Sequence, residues 1–144
     1  MMIMWRGLLI KDKGKPVFLD MLKDGTGYFV WAKSRVPFLP PHRAFIVFLC
    51  WEQAHLRGLE SYGNGVRLEN LTDKEAVVRL SPIYFMLYEA ASHLKPQISF
   101  EDYKEIFETI WQDRARAAAW TLAIEYLNAK GSTECVFRFT RKAE

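Results

Sequence analysis

The sequence predicts an α+β protein: a small antiparallel sheet, made of a hairpin and a C-terminal strand, packed against several helices, one of them long. Three observations carry this. VRLENL and EAVVRLS alternate apolar and polar residues at the strand period on either side of Thr72-Asp73-Lys74. ECVFRFTRK does so near the end of the chain, with Cys135, Phe137 and Phe139 on one side and Arg138 on the other. The run from Ser99 towards Gly131 has helical punctuation at both ends and neither Gly nor Pro inside it.

Taken in order, the first 36 residues offer MWRGLLI as a short helix and PVFLDMLK as another. TGYFVWAK suits strand or helix, with the balance towards helix, and Gly14, Gly25 and Gly27 are breaks. Pro37-Phe-Leu-Pro-Pro-His42 stops one element and opens the next, because proline in the first turn of a helix has no amide proton to lose. AFIVFLCW followed by EQAHLRGL is too long for one strand, so Pro41 to about Leu59 is a core helix with Gly58 as its stop. Tyr62-Gly-Asn-Gly65 is a turn before the hairpin, in which Val66, Leu68 and, less regularly, Leu71 form one face, answered by Ala76, Val78 and Leu80. Pro82 opens a further helix with Ile83, Met86, Leu87, Ala90 and Leu94 at helical spacing, and Pro96 closes it.

The 144 residues, half of them hydrophobic, suffice for one domain over 1–144, with a mainly helical part over 1–61 and the hairpin, two helices and final strand over 62–142. Twenty basic and 17 acidic residues give a net charge of +3 and are scattered, without the basic stripe of a phosphate-backbone binder, so no nucleic-acid partner is expected. Two cysteines, Cys50 and Cys135, in no CxxC spacing, fit a reducing cytoplasm. MMIMWRGLLIKDKGK lacks a signal-type cleavage region, and the most apolar stretch, AFIVFLCW, is far shorter than the roughly 20 residues that span a bilayer as a helix. A soluble protein with no membrane partner is expected. Aromatic residues make up 15% of the chain, more than a minimal core requires, which points to a pocket or a subunit interface.

The long helix poses the functional question. Tyr103, Ile106, Phe107, Ile110 and Trp111 form one apolar stripe, with Ser99 as N-cap and Glu101 and Asp102 in the first turn. Continued at helical spacing to residue 129, the same stripe turns polar, because Arg114, Thr121, Glu125 and Asn128 fall within roughly 45° of its centre. Either the helix bends or breaks near Gln112 and Asp113 and this lane faces water, or the helix is continuous and the lane lines a cavity. In the second case Arg114 needs a partner, such as an anionic or polar ligand, since an unpaired buried charge costs several kcal/mol (order of magnitude). Arg114 and Glu125, roughly 16 Å apart in rise, would then serve opposite ends of a site.

With Gly131-Ser-Thr-Glu-Cys135-Val-Phe137-Arg138-Phe139 closing it, the stretch from residue 62 to 142 resembles the 4-vinyl reductase-like small-molecule-binding domains and the related L-2-amino-thiazoline-4-carboxylic acid hydrolase-like proteins. Members often end in Gly, a short polar gap and Cys-x-Phe-Arg-Phe. The resemblance implies an antiparallel sheet backed by helices, a pocket between them and frequent dimerisation. Hydrolase-like members would carry further cysteines, and there is none between Leu71 and Glu134, which favours binding over hydrolysis.

Other chemistry finds little footing. Cys50 and His55 are five positions apart on a helix and so diverge by about 140°; Cys135 is the candidate nucleophile only through the resemblance. His42, His55 and His93 show no metal-ligand spacing, Gly63-Asn-Gly65 is a turn rather than a phosphate loop, and Glu105 and Glu108 lie on a solvated face. No metal and no cofactor is expected. The reading is a small-molecule-binding domain, expected as a homodimer, with Arg114 as anion anchor, Thr121 and Glu125 as polar contacts, and Trp111, Trp120 and Tyr84 as walls. A Cys135-dependent hydrolase and a ligand-free dimerisation or scaffold module are the alternatives.

Overall fold

Tyr28, Ala32 and Val36 recur every fourth residue and are all buried, so the segment TGYFVWAK forms helix α1 (Gly25–Arg35), the helical one of its two options. The glycines expected as breaks lie inside it: Gly25 is its first residue and Gly27 its third. Helix α2 (Pro41–Leu56) starts on the expected proline and buries Ala44, Phe45, Ile46, Phe48 and Leu49. The computed structural model describes residues 19–56, 66–82, 84–85, 99–127 and 134–141. MWRGLLI, the Tyr62 to Gly65 turn, Gly131 and most of the helix expected after Pro82 lie outside the described residues, as do the first three residues of PVFLDMLK; its residues 19–21 form a helical turn.

Strands β1 (Val66–Leu71) and β2 (Glu75–Leu80) make the expected antiparallel hairpin. The irregular alternation of β1 has a physical cause: a bulge between Leu68 and Asn70 leaves Glu69 without an opposite residue and shifts the phase, bringing Leu71 opposite Ala76. Strand β4 (Cys135–Thr140) pairs with β2, burying Cys135, Phe137 and Phe139 as expected and exposing Arg138. A fourth strand, β3 (Thr121–Tyr126), lies on the other side of β4, so the sheet is antiparallel throughout in the order β1-β2-β4-β3.

That fourth strand corrects the expectation of one helix over 100–129. Helix α3 (Phe100–Ala117) is capped as predicted, the Ser99 hydroxyl accepting from the Asp102 N–H at 3.1 Å, and it buries Tyr103, Ile106, Phe107, Ile110 and Trp111. Of the two alternatives it takes the break rather than the continuous helix, but at Ala117, later than Gln112 and Asp113, and Thr121 and Glu125 of the polar lane are exposed. Ala119 adopts a left-handed φ of 65°, its N–H donates to the Arg116 carbonyl (3.0 Å), and the Trp120 N–H donates to the Ala115 carbonyl (2.9 Å). This crossed pair of bonds is the Schellman stop, here built on alanine where glycine is usual. Beyond it the backbone is extended, and the apparent change of helical face is strand alternation: Leu122 is buried and Ile124 and Tyr126 pack on the core, while Thr121, Ala123 and Glu125 are exposed.

The inner face of the sheet meets α2 and α3 through rings: Phe139 against Phe45 (6.0 Å) and Trp120 (6.0 Å), and Phe137 against Phe107 (5.9 Å) and Trp111 (5.5 Å). Each fully buried Phe contributes roughly 1.5–3 kcal/mol by its removal from water. Helix α1 lies against α2 and α3, with Tyr28 between Phe45 and Phe48 of α2 and Trp111 of α3. Its start is clasped to α3: the Gly25 N–H donates to Asp113 Oδ2 at 2.8 Å, and Arg114 donates twice to Asp24, at 3.0 and 2.9 Å. A Cβ at Gly25 would stand 2.7 Å from that Asp113 oxygen and closer still to its carbonyl, so the contact requires glycine.

Candidate functional site

Two helices joined by a five-residue loop pack along the sides that bury Tyr28 and Ala32 and Phe45 and Leu49, which leaves a second pair of sides facing each other across a groove. From α1 the groove takes Trp31 and, one turn on, Arg35; from α2 it takes Val47, Phe48, Trp51 and Glu52. The spacings of three and four residues, as in Trp31 with Arg35, Val47 with Trp51 and Phe48 with Glu52, put these on neighbouring positions of each helix. Val36 and Phe38 close the loop end. The groove holds about 540 Å³, in the range of small-molecule sites, and is dominated by apolar side chains. Trp31, Phe38 and Trp51 keep 49%, 80% and 51% of their surface exposed, far more than a core position allows. Phe48 ties the walls together, its ring 5.5 Å from Trp31 and 5.9 Å from Trp51.

Two charges stand in this apolar setting. The Arg35 guanidinium lies over the Trp31 ring at 5.7 Å, and no carboxylate of the described residues is within ion-pair distance of it. Glu52 accepts the Tyr28 hydroxyl at 2.7 Å on Oε1. Burial, reinforced by the Glu52 charge, pushes the Tyr28 phenol well above its ordinary range, so Tyr28 remains the donor of this bond. A second depression, of about 410 Å³, runs along α3 between Glu105, Thr109 and Arg116 and lies wide open to solvent.

The residues nominated from sequence are distributed differently. Arg114 and Trp111 come together, the guanidinium 4.7 Å from the Trp111 ring and 4.1 Å from Tyr28, but the bidentate pair with Asp24 already satisfies the Arg114 charge. Thr121 and Glu125 stand exposed on the outer face of the sheet, which separates them from Arg114; Glu125 pairs there with Arg138 at 3.3 Å. Trp120 is buried at the start of α2, its indole N–H donating to the His42 carbonyl at 3.0 Å. Tyr84 stacks on Tyr103 at 4.2 Å, near the opposite end of α3. Cys135 is fully buried, and burial, with the neighbouring Glu134 charge, pushes its thiol up to about 12, away from the thiolate that a nucleophile requires. Burial likewise raises Cys50 to about 12.

No described helix is long and apolar enough to cross a membrane, and no three His, Cys, Asp or Glu side chains among the described residues are grouped to hold a metal ion. No family model matches the chain, and no curated protein and no solved structure matches it either. The resemblance over 62–142 therefore rests on the residues quoted for it.

The groove residues Trp31, Arg35 and Trp51 escaped the sequence reading because the signal they give is a surplus rather than a motif. Trp31 and Trp51 lie in helical stretches already supplied with enough apolar residues to cover a core. An aromatic off the core stripe with a cation four residues on is the pattern that could have found Trp31 and Arg35.

Proposed function

We propose that this domain binds a small molecule with a flat apolar body in the groove between α1 and α2. The observation that carries the reading is the pair of tryptophans, Trp31 and Trp51, about half exposed on facing walls of a groove of about 540 Å³. A ring placed between them would remove that apolar surface from water without any change in the core beneath. This reading sets the site at the α1–α2 hairpin rather than at the α3–sheet junction expected from sequence. Binding, for sensing or carriage, needs no nucleophile, and both thiols lie too high to supply one at neutral pH.

The test is a fluorescence titration with the uncharged probe N-phenyl-1-naphthylamine. Trp31→Ala and Trp51→Ala should each weaken binding by roughly fivefold or more, given the ~1 kcal/mol that an aromatic contact contributes. Unfolding should stay cooperative in both, because neither ring is part of the buried core. A homodimer would set a second copy against the same aromatics. A mass that doubles with concentration, is lost in Trp31→Ala and is unaffected by the probe would replace ligand binding with self-association.

A further inference from the structure

Resting on that reading of the groove, we infer that its ligand is an aromatic monoanion, bound with the negative group at Arg35 and the ring system running towards Glu52. Arg35 is the last residue of α1, where the C-terminus of α1 and the N-terminus of α2 meet across the loop. The two helix dipoles oppose each other there, so neither helix end cancels the charge of the guanidinium. It makes no ion pair among the described residues, in contrast to Arg43 and Arg114, which are held by Asp73 and Asp24. Lying over Trp31, it presents its N–H groups beside an apolar wall, where an anion attached to a ring can meet the charge while the ring meets the wall.

Glu52 fixes the direction. Its carboxylate is level with Tyr28, to which it is bonded, and Tyr28 precedes Arg35 by seven residues, about 10 Å of helix. A second negative group at that end would face a carboxylate, so dianions with charges at both ends are disfavoured, as is the reversed orientation. Between the two ends the walls are Trp31, Phe48 and Trp51, a length that suits a fused bicyclic ring with one charged substituent.

Two probes of nearly the same skeleton separate the class of ligand from the existence of the site: 1-anilinonaphthalene-8-sulfonate and the uncharged N-phenyl-1-naphthylamine. The full chain should bind the sulfonate at least about threefold more tightly, the size of a solvent-accessible ion pair, and this preference should shrink in about 1 M salt. Arg35→Gln should abolish the preference by weakening the sulfonate far more than the uncharged probe, and Arg35→Lys should restore part of it. Equal binding of the two probes by the unmodified chain, or an Arg35→Gln effect that weakens both alike, would overturn the monoanion assignment and leave the groove as an apolar site. If Trp31→Ala and Trp51→Ala change neither probe, the groove itself is not the site and both readings fall.

Discussion

Two arginines of opposite fate show how a single residue's surroundings decide its use. Arg114 is the obvious anion anchor in the sequence, yet Asp24 takes the Nε–Nη2 edge of its guanidinium and two rings cover its face. Among the described residues Arg35 meets the Trp31 ring and no carboxylate. Next to Arg114, Asp113 is buried and accepts from Gly25 and from Arg116 at 2.7 Å. Burial by itself would raise its carboxyl, but the Arg116 and Gly25 hydrogen bonds and the Arg116 charge outweigh it and hold the group below the ordinary carboxylate value of 3.8. The folded state therefore binds the proton less readily than the unfolded chain. The stabilisation is full above about pH 4 and is lost as pH falls towards the folded value. Thermal unfolding followed from pH 6 to pH 2 should show a shallower acid loss in Asp113→Asn than in the unmodified chain; equal slopes would remove Asp113 from the acid response.

At the level of elements, Ala119 explains the largest difference between reading and structure. A left-handed alanine gives no sign of itself in a sequence, whereas glycine at that position would have ended the helix on paper. Strand β3 was hidden for the same reason, since TLAIEY after AAAW continues the helical spacing without interruption. The left-handed conformation costs an alanine about 1 kcal/mol that glycine does not incur. Ala119→Gly should raise stability by roughly 0.5–1 kcal/mol, a rise of several degrees in Tm; a loss of stability would contradict the Schellman geometry. Elements with internal punctuation were legible: the hairpin around Thr72 to Lys74, the Ser99 cap, the proline start of α2 and the alternation of β4. The candidate site was not, because its residues belong to two helices whose individual patterns speak only of a core. Their facing sides acquire meaning when the hairpin brings them together.

Across the whole molecule, the aromatic residues serve two purposes. One set, from Tyr28 through Trp111 and Phe137 to Phe139 and Phe45, fastens three helices to one face of the sheet. The outer face of the sheet carries ion pairs, Arg79 held by Glu134 at 3.1 Å and Arg138 by Glu125, beside Val77 and the buried Val136. The other set, Trp31, Phe38 and Trp51, contributes little to that core and forms the groove, so its loss should affect binding and spare the fold. The tryptophans report on this division, since each indole N–H gives its own resonance. Trp31 and Trp51 lie in the groove and Trp111 and Trp120 in the core. We would follow these resonances while titrating the full chain with 1-anilinonaphthalene-8-sulfonate. The groove site predicts that Trp31 and Trp51 shift together, saturably, while Trp111 and Trp120 hold still. Shifts confined to Trp111 and Trp120, or a titration that leaves Trp31 and Trp51 unmoved, would contradict it.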